Sequence, residues 1–543
     1  MTLLIPSILR RYGAWDTGLK CSCRRGRKTV PLFINFRGFF LQFLSLSMNR
    51  ACVSIACERP GIRYDFYAGC RTVKAKKQEK KFMEEKKKSP RRIRLTTMQI
   101  VALGFFGVIF LGGVLLWLPF SNQKPIEFID ALFTSVTCVC VTGLVTVVPA
   151  EQFTLAGQVI MMLLIQIGGL GVIACMASFF LILGKRISMK GRILIQQAYG
   201  LDTLSGLVKF IIRILKGTFL VEGIGAALFM FKFIPEFGVL RGIWYGVFHS
   251  ISAFCNAGVD IIGNSSFMEY VSSPLINFTT MFLIVSAGLG FTVWHDVASN
   301  IRDVIKKKMP KKRILTKLGL QSKVVIVTTA ILLLSGTLGY FILEYNNPAT
   351  IGNLNIFEKF MASAFQSVTT RTAGFATVSQ SALTESSRLL GCVLMFIGGS
   401  PGGTAGGIKT TTMAMVLLTV ICVLRGKRDT ECFGRRIELD VIRSAITILI
   451  ITFVFWLCGV AALTIFEPGK DVLNLMYEVS SAMGTVGLSA DLTPYLTRGS
   501  HIVLMILMYV GRIGPMTMAL VFAGRADKAA QFRELPAKRI MIG

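Results

Sequence analysis

The sequence predicts an all-α membrane protein with four span–pore-helix–span repeats, that is, eight transmembrane helices and four re-entrant half-helices around a central pseudo-fourfold pore. Three observations predict this fold class: an apolar composition, long segments almost without charge, and a glycine-ending motif that recurs four times. Of the 543 residues, 53% are hydrophobic and 16% are charged, and the mean hydropathy is +0.61. A soluble domain of this length would need more charge to cover its surface.

Long apolar segments predict the eight spans. Most of them reach the roughly 18–25 residues that a helix needs to cross about 30 Å of hydrocarbon. Segments 389–397 and 411–424 are too short alone, and because they flank a glycine-rich run we interpret them as one broken span. The other spans are 98–120, 155–184, 209–231, 276–294, 324–343, 444–466 and 502–522.

The net charge of +31 is concentrated in alternate loops. Lysine and arginine are dense in 185–192, 302–317, 425–436 and the tail 524–543, and the loops between these segments carry few. Basic loops stay on the cytoplasmic side of a membrane. We therefore expect a multi-pass protein of the cell (inner) membrane with both termini in the cytoplasm. The basic residues indicate topology rather than a nucleic-acid surface.

Residues 1–94 differ from the rest of the chain. They contain a basic run, 74–94, and an apolar run, 32–44, that is short and interrupted by Arg37. No signal peptide with a small-residue cleavage site is recognisable there. We expect a basic N-terminal extension that is cytoplasmic and disordered or poorly packed, with Met83 as an alternative start of translation.

Four short segments resemble one another. Each begins with an aromatic residue, continues with small and hydroxyl-bearing residues, and ends in a glycine followed by Leu, Val or Phe. The four glycines are 115, 116 and 113 residues apart, and such a constant period indicates an internal repeat. The segments are FTSVTCVCVTGL (133–144), FHSISAFCNAGV (248–259), FQSVTTRTAGF (365–375) and YEVSSAMGTVGL (477–488), with glycines Gly143, Gly258, Gly374 and Gly487.

A second glycine element lies in the next apolar span of each repeat. Only its third copy is expanded, by Pro401 and extra glycines, so we expect only that span to break. The copies are IGGLG (167–171), SAGLG (286–290), IGGSPGG (397–403) and VGRIGP (510–515). The predicted units are 95–195, 196–310, 311–432 with the broken helix, 433–523, and a cytoplasmic tail, 524–543.

Short segments that enter the membrane and turn at glycine have a physical use. Irregular backbone at membrane depth is tolerated only where it lines a water-filled path, because unpaired peptide groups are costly in lipid. Carbonyl oxygens from four such segments around one axis can replace the hydration shell of a monovalent cation. Glycine permits the required backbone conformation, and the negative ends of the preceding half-helices favour a cation there.

The glycine-rich run GGSPGGTAGGIKT (398–410) invites comparison with a phosphate-binding loop. That motif requires Gly-x-x-x-x-Gly-Lys-Ser/Thr after a strand. Here Ile408 separates Gly407 from Lys409, and membrane spans flank the run. We therefore interpret it as a flexible loop below the pore, in which Lys409 is a positive charge beside a cation path.

The motifs carry a resemblance to a known family. Thr485-Val486-Gly487 is the core of the potassium-channel filter motif, and the other three segments are similar to its degenerate versions in the Trk/Ktr/HKT potassium transporter superfamily. SVTTRTAGF and FIGGSPGGTAGGIKTTT in the third repeat closely resemble KtrB-type membrane subunits. Trk-type relatives carry two further spans before the first repeat, and since none is convincing here, the Ktr branch fits better.

The resemblance implies potassium uptake through a gated, carbonyl-lined selectivity filter. Gly143 stands where a serine is associated with sodium selectivity in plant relatives, which favours potassium; a sodium- or broadly cation-conducting relative is the alternative. From serine to glycine, the third and fourth segments are one residue shorter than the others, which leaves their register open. The implied filter residues are Val141, Thr142, Gly143, Asn256, Ala257, Gly258, Thr372, Ala373, Gly374, Thr485, Val486 and Gly487.

The resemblance also implies a gate made of the glycine-rich loop and Arg512. A charge at mid-membrane costs at least about 2.5–3.5 kcal/mol, so Arg512 needs an aqueous cavity or a partner. An arginine satisfied by backbone carbonyls is the alternative, and we favour a pore-lining role. The gate residues are Gly398, Gly399, Ser400, Pro401, Gly402, Gly403, Thr404, Gly406, Gly407, Lys409 and Arg512.

Partners follow from the same resemblance. It implies a homodimer in which each protomer keeps its own pore, and a cytosolic ring of KtrA-like nucleotide-binding regulatory subunits. We expect no cofactor in this chain and no metal beyond the transported cation. Potassium is the expected substrate, and sodium is a candidate coupling ion.

Other polar residues in or beside the spans leave alternatives open. Asp130 and Asp260 bracket the pore segments, where they either concentrate cations or cap helices and pair with bases. We interpret Glu222 and Glu478 as buried structural partners and His249 as a packed residue rather than a proton relay. No catalytic constellation is recognisable, so we expect no enzyme, and the pore-type repeat disfavours a small-molecule carrier.

Overall fold

The computed structural model describes two compact units, Met1–Arg94 and Leu95–Gly543. In the first unit it describes the four strands alone. In the second it describes residues 97–171, 175, 206–306, 310, 314–515 and 517–518.

The first unit contains a four-stranded antiparallel sheet with the strand order β2-β1-β3-β4. This differs from the expected disordered or poorly packed extension, because segments such as VSIACER and IRYDFYA are rich in the β-branched and aromatic residues that favour strands. The strands are β1 (Lys20–Arg25), β2 (Lys28–Phe33), β3 (Val53–Arg59) and β4 (Ile62–Ala68).

The described residues of the second unit are helical apart from one small hairpin, and the helices follow the four sequence repeats. Repeat 1 contains α1 (Thr97–Trp117), α2 (Phe128–Cys140), α3 (Pro149–Gln152) and α4 (Leu155–Leu170). Repeat 2 contains α5 (Leu207–Phe237), α6 (Val239–Cys255), α7 (Pro274–Gly288) and α8 (Phe291–Ile305). Repeat 3 contains α9 (Ile314–Lys317), α10 (Leu320–Glu344), α11 (Ile356–Thr369), α12 (Glu385–Phe396) and α13 (Thr410–Leu424). After the hairpin β5 (Glu431–Cys432) and β6 (Arg435–Arg436), repeat 4 contains α14 (Leu439–Phe466), α15 (Val472–Gly484) and α16 (Arg498–Ile513).

The first span of each repeat is one long apolar helix. Within the described residues, α1, α5, α10 and α14 are long and apolar enough to cross a membrane, and the bent pair of α7 and α8 makes a fifth candidate. The outer faces of the long helices expose apolar side chains that a lipid environment would cover. Phe106, Leu220, Leu334 and Leu457, one from each repeat, are 58%, 65%, 62% and 53% exposed.

The second spans begin alike in three repeats, because a threonine caps each helix. Thr154, Thr384 and Thr497 each accept a hydrogen bond from the backbone N–H three residues later, at 3.3, 3.3 and 3.4 Å. Such a cap satisfies one of the free N–H groups of the first helical turn. In repeat 2 the second span, α7, instead begins with Pro274 at the first helical position, where the missing N–H is no loss.

The expectation that only the third repeat has a broken second span is wrong. The helix axis turns by 98° between α7 and α8 in repeat 2. The helices of repeats 1 and 4 end before Gly171 and Gly514, which have φ of +85° and +98°, and Gly290 in the bend has φ of +91°. An L-residue rarely adopts this backbone conformation, so the last glycine of each short motif breaks the helix without any expansion of the loop.

Candidate functional site

The four pore helices, α2, α6, α11 and α15, lead into four triplets with the same pattern of φ, and two further residues separate α11 from its triplet. The first residue of each triplet is left-handed, with φ of +56°, +61°, +69° and +52° at Val141, Asn256, Thr372 and Thr485. The last residue, a glycine, also has positive φ in all four, and the middle residue does not. Alternation of this kind turns successive carbonyl groups toward the same side of the chain.

The four glycines pack into a closed ring. A methyl group built on Gly143 would lie 2.6 Å from the carbonyl oxygen of Ala257, in repeat 2. A methyl group built on Gly258 would lie 2.5 Å from the Ala373 oxygen, and one on Gly374 would lie 2.6 Å from the Val486 oxygen. One built on Gly487 would meet the Thr142 oxygen. Each repeat therefore contacts the next, and the fourth contacts the first. The side chains of all these segments are buried.

A hydroxyl group of each pore helix sets the register of its filter segment. Thr137 and Ser481 accept from the N–H of Gly143 and Gly487, six residues later, at 2.9 and 3.0 Å. Ser252 and Thr369 instead donate to the carbonyl of the residue after their glycine, both at 2.6 Å. Thr369 precedes its glycine by five residues rather than six. From the hydroxyl residue to the glycine, the third segment is thus one residue shorter than the others, as the sequence indicates. The fourth segment has the same length as the first two.

Behind the filter, equivalent positions of three pore helices hold the segment that follows the glycine. His249 Nε2 accepts from the Ile261 N–H at 3.4 Å, while Nδ1 donates to the Tyr245 carbonyl at 2.7 Å. Gln366 exchanges hydrogen bonds with Gln380 at 2.6 and 3.2 Å. In repeat 1 the equivalent Thr134 donates back within its own helix, to the Asp130 carbonyl.

Glu478 is the most extensively bonded of these residues. Its carboxylate accepts from Ser489 Oγ at 2.6 Å, from the Ala490 N–H at 2.9 Å and from Thr493 Oγ1 at 2.6 Å. The side chain is fully buried, so these bonds replace water completely. Its role here is to fix the loop that follows the fourth filter segment.

Replacing Glu478 with leucine is expected to lower the thermal stability of the purified protein and its ion selectivity. The substitution leaves three donors without their acceptor, two of them buried, and an unsatisfied buried donor costs about 1–3 kcal/mol. Glu478→Gln is the matched control, because the Thr493 hydroxyl can reverse and accept from the amide. Thermal unfolding in detergent, with uptake of competing cations, measures both effects. Equal behaviour of the two variants would contradict this role.

The loop 398–410 joins repeat 3 to the break in repeat 2. The Ser400 N–H donates to the Gly288 carbonyl at 2.9 Å, and the Phe291 N–H donates to the Gly402 carbonyl at 3.0 Å. The loop also closes on itself, since the Thr410 N–H donates to the Gly399 carbonyl at 3.0 Å. One side of the loop is therefore fixed where α7 and α8 meet.

The other side of the loop lies against the fourth filter segment. A methyl group built on Gly406 would clash with the Thr485 side chain, and one on Gly407 would lie 3.2 Å from the Gly484 carbonyl oxygen. Lys409 Nζ donates to the Ala405 carbonyl at 2.7 Å. The loop thus crosses from repeat 2 to repeat 4 at the end of the filter where the pore helices terminate.

Arg512 completes this crossing. Its guanidinium donates to the Thr404 carbonyl in the loop and to the Gly168 carbonyl in repeat 1, and it lies 3.3 Å from the Gly169 oxygen. The side chain is half-buried. Backbone carbonyls therefore satisfy the charge of Arg512, which is the alternative stated in the sequence analysis. These carbonyls belong to the loop and to repeat 1, which both lie beside the axis.

Arg512 occupies a position that is glycine in other repeats. In GGLG of repeat 1 and AGLG of repeat 2, Gly169 and Gly288 stand two residues before the helix-breaking glycine, as Arg512 does in GRIG. Aligning the four short motifs on their last glycine could have revealed this substitution from sequence. The repeat symmetry is thus broken by one long cationic side chain.

The remaining charged residues lie in different settings. Arg498 donates to Asp130 at 2.9 Å and to Glu127 at 2.5 Å, which ties α16 to the start of α2. Asp260 follows the second filter segment, and its Oδ1 has no partner among the described residues. Glu222 is buried and accepts from Gln166 at 3.1 Å. A role for Asp260 at the pore mouth stays a prediction.

Fold and site together define a multi-pass membrane protein of a transport class, in which four repeats surround one axis. A family model described as TrkH, cation transport protein, matches residues 63–533. The chain belongs to this family of cation transport proteins. The expected fold class is confirmed, and membership of a transporter family agrees with the expectation that the chain is not an enzyme.

Known relatives and a solved structure are similar to this chain over most of its length. It is 39% identical over 457 residues to the potassium/sodium uptake protein NtpJ of Enterococcus hirae, covering 83% of this chain and 98% of that protein. It is 39% identical over 439 residues to the Ktr system potassium uptake protein B of Bacillus subtilis, covering 81% and 96%. The crystal structure of the potassium transporter TrkH from Vibrio parahaemolyticus has the same fold, with a TM-score of 0.62 at 18% identity, over 80% of this chain and 86% of that one.

Proposed function

We propose that this chain takes up potassium across the cell membrane as the translocating subunit of a Ktr-like system. The closed ring of four glycines carries the proposal, because it brings carbonyl groups of four equivalent segments around one axis. Such carbonyls replace the hydration shell of a monovalent cation. The names of the relatives from Enterococcus hirae and Bacillus subtilis support potassium as the ion.

The pore helices add to the attraction for a cation. α2, α6 and α15 end directly at left-handed filter residues, so their C-terminal carbonyl groups lie next to the filter. The end of a helix carries about half a negative elementary charge. The filter carbonyls and the helix ends together stabilise a dehydrated potassium ion. The carbonyls are those of residues 141–143, 256–258, 372–374 and 485–487.

Passage is controlled beyond the filter by the loop 398–410 and Arg512. The loop reaches from the bend in repeat 2 to Thr485, and Arg512 reaches from repeat 4 to repeat 1. An ion leaving the filter meets a peptide barrier and a positive charge. A gated, channel-like path accounts for this arrangement better than a rocking carrier, because the four filter segments form a single narrow site.

Assembly and orientation complete the proposal. The chain forms a homodimer with one pore in each protomer and binds a cytosolic ring of KtrA-like nucleotide-binding subunits. Both termini lie in the cytoplasm of a cell whose inner membrane holds the protein, as the basic loops indicate. The chain needs no cofactor of its own, and sodium is a candidate coupling ion.

Growth of potassium-uptake-deficient cells at low potassium tests the function. The wild-type chain is expected to restore growth, whereas Gly258→Asp and Gly374→Asp are not, because both glycines face backbone atoms of the neighbouring repeat within 3 Å. Gly263→Asp is the control, since a side chain there enters open space. Failure of the wild type, or equal growth of all variants, would contradict the proposal. Comparable sodium and potassium uptake would instead favour a broadly cation-conducting protein.

A further inference from the structure

Arg371 is a buried charge beside the third filter segment. It stands between α11 and Thr372 and is only 7% exposed. Nη2 donates to the carbonyl of Gly398, the first residue of the gate loop, at 3.0 Å. None of the ion pairs among the described residues includes Arg371. This guanidinium therefore links the filter segment directly to the loop.

Arg371 also lines a small cavity. Arg371, Thr329 of α10, Gly288 at the bend of repeat 2 and Gly399 of the loop contribute to its lining. Its volume is about 10 Å³, which is close to the space that one water molecule needs. The cavity thus touches the residue before the filter segment, the loop, the bend and the first span of repeat 3.

Two polar atoms, each on a residue that lines this cavity, have no hydrogen-bond partner within the described part of the chain. They are Arg371 Nη1 and Thr329 Oγ1, and both are buried. Thr329 is 8% exposed, so bulk water does not reach it freely. Buried polar groups in native proteins nearly always have a partner, so two unpartnered polar atoms beside one otherwise apolar, water-sized cavity indicate an ordered water.

We infer that one water molecule occupies this cavity, accepts a hydrogen bond from Arg371 Nη1 and bonds to Thr329 Oγ1, so that Arg371 positions the gate loop. The direct bond to Gly398 and the water-mediated bond to Thr329 then hold the start of the loop against α10. This inference rests on the proposed function, since it assigns a positioning residue to the same gate.

Loosening this anchor is expected to raise potassium flux without changing its ion preference. The loop would leave its position across the axis more often, whereas the carbonyl ring that discriminates between ions stays intact. Loss of a hydrogen bond to a charged group corresponds to about tenfold or more in an equilibrium constant, and loss of a neutral one to about threefold. Arg371→Met is therefore expected to have the larger effect and Thr329→Val the smaller one, in the same direction.

Rubidium uptake into vesicles that contain the purified full chain tests the inference. Thr329→Ser keeps the hydroxyl and is expected to match the wild type, whereas Thr329→Val removes it at equal size and raises basal flux about threefold. Arg371→Lys is expected to restore part of the control that Arg371→Met loses. The maximal rate rises in these variants, with an unchanged KM and rubidium-to-sodium ratio. Equal flux in Thr329→Val and Thr329→Ser would overturn the inference.

A second measurement does not depend on flux or on a folded Arg371 variant. A high-resolution cryo-electron microscopy map is expected to show a peak between Arg371 Nη1 and Thr329 Oγ1 in the wild type and none in Thr329→Val. Absence of the wild-type peak would overturn the assignment of water. A flux that depends on chloride only when Thr329 is intact would also overturn it, because chloride would then be the occupant of the cavity. A wild type that transports no rubidium would instead contradict the proposed function.

Discussion

Replacing Gly143 with alanine is expected to lower potassium uptake about a hundredfold or more and to weaken discrimination against sodium. The new methyl group would lie 2.6 Å from the Ala257 carbonyl oxygen and 3.2 Å from the Cα of Gly487. Both contacts are backbone atoms of neighbouring repeats, which cannot rotate away. Gly143 also has φ of +104°, where a side chain is strained. Overpacking and backbone strain together cost about 3 kcal/mol or more, about two orders of magnitude in ion binding.

The glycine ring makes this effect specific to the filter. The added methyl group displaces the Ala257 carbonyl, which is the group that repeat 2 contributes to the ion site. One substitution in repeat 1 therefore disturbs two repeats. Gly263→Ala is the matched control, because no atom lies within 4 Å of its added methyl group. Competitive rubidium and sodium uptake, with gel filtration to establish folding, measures the result. A folded Gly143→Ala protein with unchanged uptake would show that this carbonyl ring does not bind the ion.

The repeat and its filter segments could be predicted from sequence because both are local patterns. The spacing of Gly143, Gly258, Gly374 and Gly487 identifies the turns, and hydrophobic length identifies the first spans. The structure places the twelve predicted filter residues in four equivalent segments around one axis. Their role in binding potassium stays a prediction.

The broken second spans could not be predicted in the same way. Gly171, Gly290 and Gly514 break their helices through a positive φ, and a glycine inside an apolar segment is compatible with a continuous helix as well. The register of the fourth segment is also ambiguous from sequence, because two serines, Ser480 and Ser481, stand side by side in its pore helix. Ser481 is the one that bonds the filter segment. Only the folded structure, through backbone φ in the first case and a side-chain hydrogen bond in the second, distinguishes these possibilities.

Removing the charge of Arg512 is expected to raise potassium flux about tenfold in the absence of regulatory subunits. At an effective dielectric constant of about 20, a positive charge about 10 Å away costs a passing monovalent cation about 1.7 kcal/mol. Arg512→Gln removes this cost and leaves a side chain that still donates to a carbonyl. It also weakens the contact with Thr404 and Gly168, so the loop is held less firmly across the axis.

Two controls separate a barrier from a structural role for Arg512. Arg512→Lys keeps the charge and is expected to resemble the wild type, whereas Arg443→Ala removes an arginine whose side chain is 78% exposed and should change nothing. Rubidium uptake by purified variants in vesicles, at matched amounts of folded protein, gives the comparison. If the three carbonyl contacts only stabilise the fold, Arg512→Gln would lower both thermal stability and uptake. If the charge itself opposes the ion, uptake rises in Arg512→Gln and stays near the wild-type level in Arg512→Lys, which keeps the charge at the same place.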